Sequence, residues 1–279
     1  MNATRRVALL PTAALLLGAL YCLVPVAWVL VASTKAGDEL FSTFTFVPGT
    51  GLFENIGDLS AYRDGVYWQW MANSVLYAGV GAALSCAVSA LAGYALAVYS
   101  FTGREAVFGV LLAGVLMPPV ILAVPQYLLL AEASLTDSYL SVLIPVLLSP
   151  YGIYLARIYA AAAVPEDVIE AARMDGSGEW RIFRTIAVPM MLPGLVTIFL
   201  FQFVAIWNNF LLPFIMLSDD EKFPMTLGLY TLLNQGSNSP ALYTLVITGS
   251  LLAVLPLIAL FLFIQRYWSL DLLSGAVKS

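Results

Sequence analysis

Long apolar runs alternate with short polar ones along this chain, at about residues 7–32, 71–99, 106–131, 139–156, 188–217 and 241–264. Their lengths match the ~20 residues that a helix needs to cross a bilayer. The apolar positions are continuous rather than alternating, which argues against the short two-faced strands of a membrane barrel. The pattern predicts an all-α, polytopic membrane protein with six transmembrane helices, forming one domain over residues 1–279. The first run is too long for the ~7–15-residue apolar region of a cleaved signal peptide, so it reads as a retained span.

Prolines and small residues refine the spans. Pro118, Pro119 and Pro125 must kink or break the third, because each removes a backbone donor. A break at membrane depth is tolerated only against protein or a cavity. On the second span, Gly81, Ser85, Ser89 and Gly93 recur four apart, beside a second small row of Ala78, Ala82, Cys86 and Ala90. Such rows let helix backbones approach closely, either within the chain or at a subunit interface. The polar stretch 33–69 ends in Tyr67-Trp68-Gln69-Trp70, which reads as an aromatic belt at a membrane surface. Asn73 and Ser74 then read as capping residues at the start of a helix.

One polar segment is too elaborate for a simple connection. Within residues 157–187, Val164-Pro165-Glu166-Asp167 is a helix-start signal, with proline at the first helical position and acids in the first turn. Gly176-Ser177-Gly178 stops that helix, with Gly176 suited to a left-handed turn. Glu179–Ile186 reads as a second short helix before the fifth span.

Composition agrees with the pattern: 61% of the 279 residues are hydrophobic and 10% charged, against about a quarter charged in a soluble domain. The side assignment comes from the basic residues. With the N-terminus inside, the inner segments hold Arg5, Arg6, Arg104, Arg157, Arg173, Arg181, Arg184, Arg266 and Lys278, and the outer ones only Lys35, Arg63 and Lys222. That asymmetry puts both termini and the 157–187 loop in the cytoplasm.

Several chemistries are disfavoured. No span carries Asp, Glu, Lys, Arg or His, which argues against a proton-driven transporter. No lysine sits in a Gly-x-x-x-x-Gly-Lys-[Ser/Thr] loop, so the chain has no phosphate cradle of that kind. Without histidine there is no nucleophile–base pair, and no catalytic residue is expected. Cys22 and Cys86 both fall in apolar runs and suggest neither a disulfide framework nor a metal site.

Glu170-Ala171-Ala172-x-x-Asp175-Gly176, followed by Phe183, Ile186, Pro189 and Pro193, resembles the Glu-Ala-Ala loop of permease subunits in binding-protein-dependent ABC importers. The flanks Ile153–Arg157 and Val164–Val168 resemble the same family. Trp207-Asn208-Asn209-Phe210 and the tail from Gln265 to Lys278 are similar to its carbohydrate-uptake branch, nearest to the second permease of maltodextrin-type systems. Ser177 stands where many relatives have alanine, and Asp271 departs from their neutral or basic tail. The resemblance implies the type I ABC importer permease fold. It implies a heterodimer with a second permease, two ATPase subunits, and an extracytoplasmic solute-binding protein, in a bacterial or archaeal plasma membrane. ATP and magnesium would be bound by the partner ATPase, with no cofactor in this chain and no nucleic-acid partner. The expected cargo is a sugar or oligosaccharide. Glycerol-phosphate or a polyol is the alternative within the family, and a self-sufficient secondary transporter the alternative outside it.

The resemblance assigns coupling to Glu170, Ala171, Ala172, Asp175, Gly176 and Phe183. Small Ala171 and Ala172 would let a partner approach, Glu170 would pair with a partner cation or with Arg173, Asp175 would accept backbone N–H groups of the turn, and Phe183 and Ile186 would anchor the following helix. On the fifth span, Gln202 and Asn209 lie seven apart on one face, with Asn208 about 100° round. They read either as interhelical hydrogen-bond partners or as a solute lining, with Trp207 as a stacking surface. Thr244 and Thr248 are weaker candidates for the same lining. Asn234, Gln235, Ser237 and Asn238 form a polar outer segment that is either a turn or a contact for the binding protein.

Overall fold

The computed structural model describes residues 3–37, 39–235 and 240–275, and among these every regular element is helical. Ser237, Asn238 and the tail residues Ala276–Lys278 lie outside the described residues. The helices are α1 (Ala3–Ala32), α2 (Glu39–Ser42), α3 (Leu52–Ala61), α4 (Val66–Val98), α5 (Arg104–Leu116), α6 (Pro119–Glu132), α7 (Tyr139–Leu147) and α8 (Pro150–Ala163). They continue with α9 (Glu166–Met174), α10 (Glu179–Ile182), α11 (Val188–Trp207), α12 (Leu211–Met216), α13 (Met225–Gln235) and α14 (Pro240–Gly275). Among the described residues, five helical stretches are long and apolar enough to cross a membrane, or six if the bent pair α5–α6 counts as one span. The chain divides into two compact units, Met1–Trp68 with Leu229–Pro256, and Gln69–Gly228 with Leu257–Ser279.

Prolines explain the breaks. Met117 and Pro118 are extended, as a residue before proline prefers, and α5 and α6 meet at 106°. Ser149, before Pro150, is also extended, and it divides α7 from α8. The expected short helix Glu179–Ile186 is instead continuous with the fifth span, from Glu179 to Trp207. A π-turn at Phe183–Ala187 joins α10 to α11. Pro189 lacks the N–H that would reach Thr185, and the wider turn absorbs that loss.

Other span boundaries also differ from expectation. The fifth span ends at Trp207 rather than 217, and Leu211–Met216 is a separate helix. Asn209 accounts for the break, since its side-chain oxygen accepts from Leu212 N at 3.3 Å and starts the new helix. The fourth span continues past Arg157 to Ala163, with the Arg157 guanidinium 3.6 Å above the Phe108 ring and 3.5 Å from Glu105. The sixth helix runs on to Gly275.

In the second unit, the small row of α4 is an intrachain seam. A Cβ at Gly93 would sit 2.6 Å from Arg157 N, and one at Gly81 3.0 Å from the Ile206 side chain, so larger residues cannot be inserted without displacing α8 or α11. Tyr94, Ala156, Ile169, Ile182, Phe183 and Met191 continue this core.

The aromatic and amide residues at the start of the second span do a different job from the one expected. Helix α4 begins at Val66, so Asn73 and Ser74 are interior and buried rather than capping. Tyr67 and Trp70 are buried too, which leaves Trp68 as the exposed ring of the expected belt. In the first unit, Tyr67 donates to Gly249 O at 2.9 Å. In the second, side chains of α4 fasten the backbone of 220–225. Trp70 donates to Asp220 O (2.9 Å), Asn73 to Glu221 O and Phe223 O (2.7 and 3.0 Å), and Tyr77 to Lys222 O (3.0 Å). Ser74 Oγ accepts from Met225 N at 2.7 Å. Each such bond contributes about 1 kcal/mol net, and more is lost if a buried partner is left unpaired.

The same loop is closed by Asp137, whose carboxylate accepts from Ser218 N and Asp219 N, both at 3.0 Å, and lies 3.6 Å from Lys222 Nζ. The two N–H groups hold the Asp137 carboxyl below its ordinary value, with Lys222 adding to the effect. A depressed folded-state value contributes stability that is full above the usual carboxylate range and is lost as pH falls through the folded value. The purified protein should therefore lose thermal stability below the usual carboxylate range. Asp137→Asn, which keeps an accepting oxygen, should flatten that acid limb; an unchanged limb would remove Asp137 as its source.

Candidate functional site

Two features stand out, a helical turn between α9 and α10 and a cavity where helices break. Both lie within the second unit.

Helix α9 packs Ile169 and Ala172 inward, leaving Glu170, Ala171 and Asp175 exposed. Its end is stapled by two backbone bonds, Ser177 N to Ala172 O and Gly176 N to Arg173 O, each 3.0 Å. This is the six-to-one, five-to-two pattern that needs a left-handed residue, and Gly176 has φ +80°. Ala172 is therefore core, and only Ala171 offers a close-approach surface. Arg173 does not pair with Glu170. It reaches across the turn to Glu179, with Nε 2.7 Å from Oε1 and a second bond of 3.2 Å to Oε2. Tyr99 donates to the same carboxylate at 2.7 Å. Among the described residues no hydrogen bond or ion pair holds the Glu170 or Asp175 carboxylate, so the expected bonds from Asp175 to the turn do not form. Phe183 is buried against Tyr94, with ring centroids 5.1 Å apart.

The sequence reading missed three residues here. Met174 is 83% exposed and Trp180 64% exposed, on either side of the glycine turn. Glu179 completes the staple. The opposite charges of Arg173 and Glu179, six apart across Gly-Ser-Gly, were the available signal. The turn thus shows acids, a small residue and two large apolar side chains to whatever docks on it.

The cavity encloses about 290 Å³, near the lower limit of roughly 300 Å³ for small-molecule pockets. It lies at three helix breaks: α5–α6 contributes Met117 and Pro119, α7–α8 Ser149, and α11–α12 Asn209 and Leu211. The polar lining is Gln126, Ser149, Gln202 and Asn209, and none of the lining residues is charged. Gln202 is buried and donates to Ser149 Oγ, which also accepts from Gly152 N at 3.0 Å. Thr226 donates to Asn209 O at 2.9 Å. The structure therefore brings Gln202 and Asn209 together in one cavity, and adds Gln126 and Ser149, whose isolated positions in apolar runs gave no periodic signal.

Other candidates fall elsewhere. Trp207 is 3% exposed and stacks on Phe203 at 5.7 Å, so it offers no free face to a solute. Asn208 donates to Val204 O on the exposed side of its helix. Thr244 and Thr248 are buried in α14 in the first unit, with hydroxyls lacking hydrogen-bond partners among the described residues. Asn234 and Gln235 are exposed at the end of α13; Gln235 accepts from Tyr62 Oη at 3.2 Å and Asn234 donates to Tyr230 O at 3.0 Å.

Residues 71–271 match the family described as binding-protein-dependent transport system inner membrane component. The chain belongs to this family. It is 35% identical to the arabinooligosaccharides transport system permease protein AraQ of Halalkalibacterium halodurans, over 91% of this chain and 90% of that one. It is 34% identical to the lactose transport system permease protein LacG of Rhizobium radiobacter, over 94% and 93%. Its fold matches a chain of a bacterial ABC transporter involved in the import of the acidic polysaccharide alginate, with a TM-score of 0.83 at 22% identity, covering 96% of this chain and 98% of that one. This inner-membrane permease thus has the type I importer fold.

Gly176 is the position of the turn least open to replacement, since a Cβ in the left-handed region costs roughly 1–2 kcal/mol and a β-branched residue more. Gly176→Val should leave the permease in the membrane at near-normal abundance and reduce uptake to background. Uptake at the normal rate would show that the turn is not needed for coupling.

Proposed function

We propose that this permease forms half of the pathway by which an uncharged sugar or oligosaccharide crosses the plasma membrane. A second permease supplies the other half. A separate ATPase pair binds ATP and magnesium and drives the cycle by pushing on the turn from Glu170 to Trp180. Both termini and that turn lie in the cytoplasm, a reading that the distribution of basic residues supports, and an extracytoplasmic binding protein delivers the solute.

The observation that carries the cargo assignment is the cavity's lining. Amides and a hydroxyl can exchange hydrogen bonds with sugar hydroxyls, while the apolar remainder suits the C–H faces of a ring. A charged cargo would find no counter-ion there, and an unpaired charge in such a place is costly. The cargoes named for AraQ and LacG are neutral saccharides, which supports the same reading. For the turn, the support is its exposed acid and apolar surface on a rigid staple. Gln202 and Asn209 are assigned to the solute, Glu170, Ala171, Asp175 and Gly176 to the ATPase, and Phe183 to the anchor. Asn234 and Gln235 are the exposed outer residues available to the binding protein.

The test is the ATPase activity of the reconstituted transporter with its binding protein and a panel of solutes. Neutral oligosaccharides should stimulate it; stimulation by glycerol 3-phosphate or an oligouronate alone would overturn the cargo assignment. Gln202→Leu should lower uptake about tenfold, the ~1.4 kcal/mol of one lost hydrogen bond, while the ATPase still co-purifies. Glu170→Lys should do the reverse, weakening co-purification of the ATPase. Equal co-purification and equal stimulation would exclude Glu170 from the interface.

A further inference from the structure

Residues 40–53, Leu-Phe-Ser-Thr-Phe-Thr-Phe-Val-Pro-Gly-Thr-Gly-Leu-Phe, carry no charge, and acids bracket them at Glu39 and Glu54. Within this stretch Phe41 is 67% and Phe44 74% exposed, and Phe46 and Val47 are exposed beside them. Large apolar side chains grouped in this way mark a contact surface.

The loop that shows them is rigid. Its C-terminal end is tied to Thr34, just past α1: Gly49 N donates to Thr34 Oγ1 at 2.9 Å and Gly51 N to Thr34 O at 2.7 Å. At its start, Ala36 N donates to the Glu39 carboxylate at 3.1 Å. Asn55, buried in α3, donates to Ser33 O and Lys35 O, both at 2.8 Å. Across the middle, the Lys35 ammonium donates to Phe44 O at 2.8 Å, from a side chain only 2% exposed. Burying a lysine is expensive unless the charge is used. Here it holds the backbone of the residue that presents one of the exposed rings.

Two contacts fix the height of the patch. The loop is tied to Thr34, two residues beyond the end of an apolar span at Ala32. Phe41 packs edge-on against Tyr243 at 5.8 Å, and Tyr243 is the second residue of the apolar stretch Leu242–Gln265. The patch is thus level with the ends of two membrane spans. A surface at that height facing water would carry charge, whereas Phe, Thr and Ser suit the boundary between headgroups and acyl chains.

We infer that residues 41–47 form an interfacial anchor, a rigid loop whose phenylalanines enter the bilayer's headgroup–acyl boundary and set the depth of the neighbouring spans. Lys35 is its positioning residue. This does not depend on the cargo or on the coupling turn.

The test measures depth. In a Cys22→Ser, Cys86→Ser background, the full-length permease is purified with its partner subunits and reconstituted into phosphatidylethanolamine–phosphatidylglycerol vesicles. Nitroxides are attached at Phe44→Cys, at Asp58→Cys on the exposed side of α3, and at Leu20→Cys in α1. The spin relaxation caused by oxygen and by a soluble nickel chelate is then compared. The label at 44 should favour oxygen several-fold more than the label at 58 and less than the one at 20. Adding Lys35→Met should move the label at 44 toward the value at 58 and leave the one at 20 unchanged. Three outcomes overturn the inference: nickel access at 44 equal to that at 58, which puts the loop in water; protection from both reagents, which puts it under another subunit; or protection that appears only with added binding protein, which makes it that protein's docking surface.

Discussion

A helix that breaks inside a membrane leaves backbone groups with no water to satisfy them. Most of this permease follows from how it meets that constraint. The α7–α8 and α11–α12 breaks recruit their own polar side chains, Ser149 for Gly152 N and Asn209 for Leu212 N. With the α5–α6 corner at Pro118–Pro119, both face one cavity. Two of the four polar lining residues, Ser149 and Asn209, are thus the by-product of satisfied breaks, and Gln202 of α11 bonds to Ser149 at one of them. A pathway needs polar groups at depth, and discontinuous helices provide them without burying a charge.

The same logic shapes both rims of the second unit. On one side, α4 spends Trp70, Asn73, Ser74 and Tyr77 on the main chain of 220–225, and Asp137 closes the loop from the α6–α7 connection. On the other, Arg173 and Tyr99 hold Glu179 across the glycine turn, and the π-turn carries α10 directly into α11. Glu179–Trp207 is thus one continuous helical stretch that links the turn to Gln202.

The apolar runs and the left-handed glycine were legible in the sequence, because each depends on local rules: run length, proline and glycine punctuation, and a helix-stop signal. The proline-rich third span was read as broken, and it is. Misreadings came where local chemistry is ambiguous. Asn73 and Ser74 are good caps by type, but an asparagine can satisfy a distant loop as readily as its own helix end. Trp207 looked like a stacking surface because a tryptophan beside two asparagines suggests a site, yet its ring is packed on Phe203. Glu170 and Arg173 have the spacing of a helix pair, but the bidentate geometry with Glu179 is better.

By itself, the sequence determined that the chain crosses a membrane several times, presents a structured charged turn between two spans, and carries no phosphate loop. These follow from transfer free energies and backbone conformation, which act over a few residues at a time. Only the tertiary structure decided that Ala172 is core while Met174 and Trp180 are exposed, that the Gly81–Gly93 row is an internal seam, and that Gln126, Ser149, Gln202 and Asn209 share a cavity. Those facts depend on which helix faces which. Helix packing in lipid is governed by close approach and buried hydrogen bonds between residues far apart in the chain, and no local periodicity encodes that pairing.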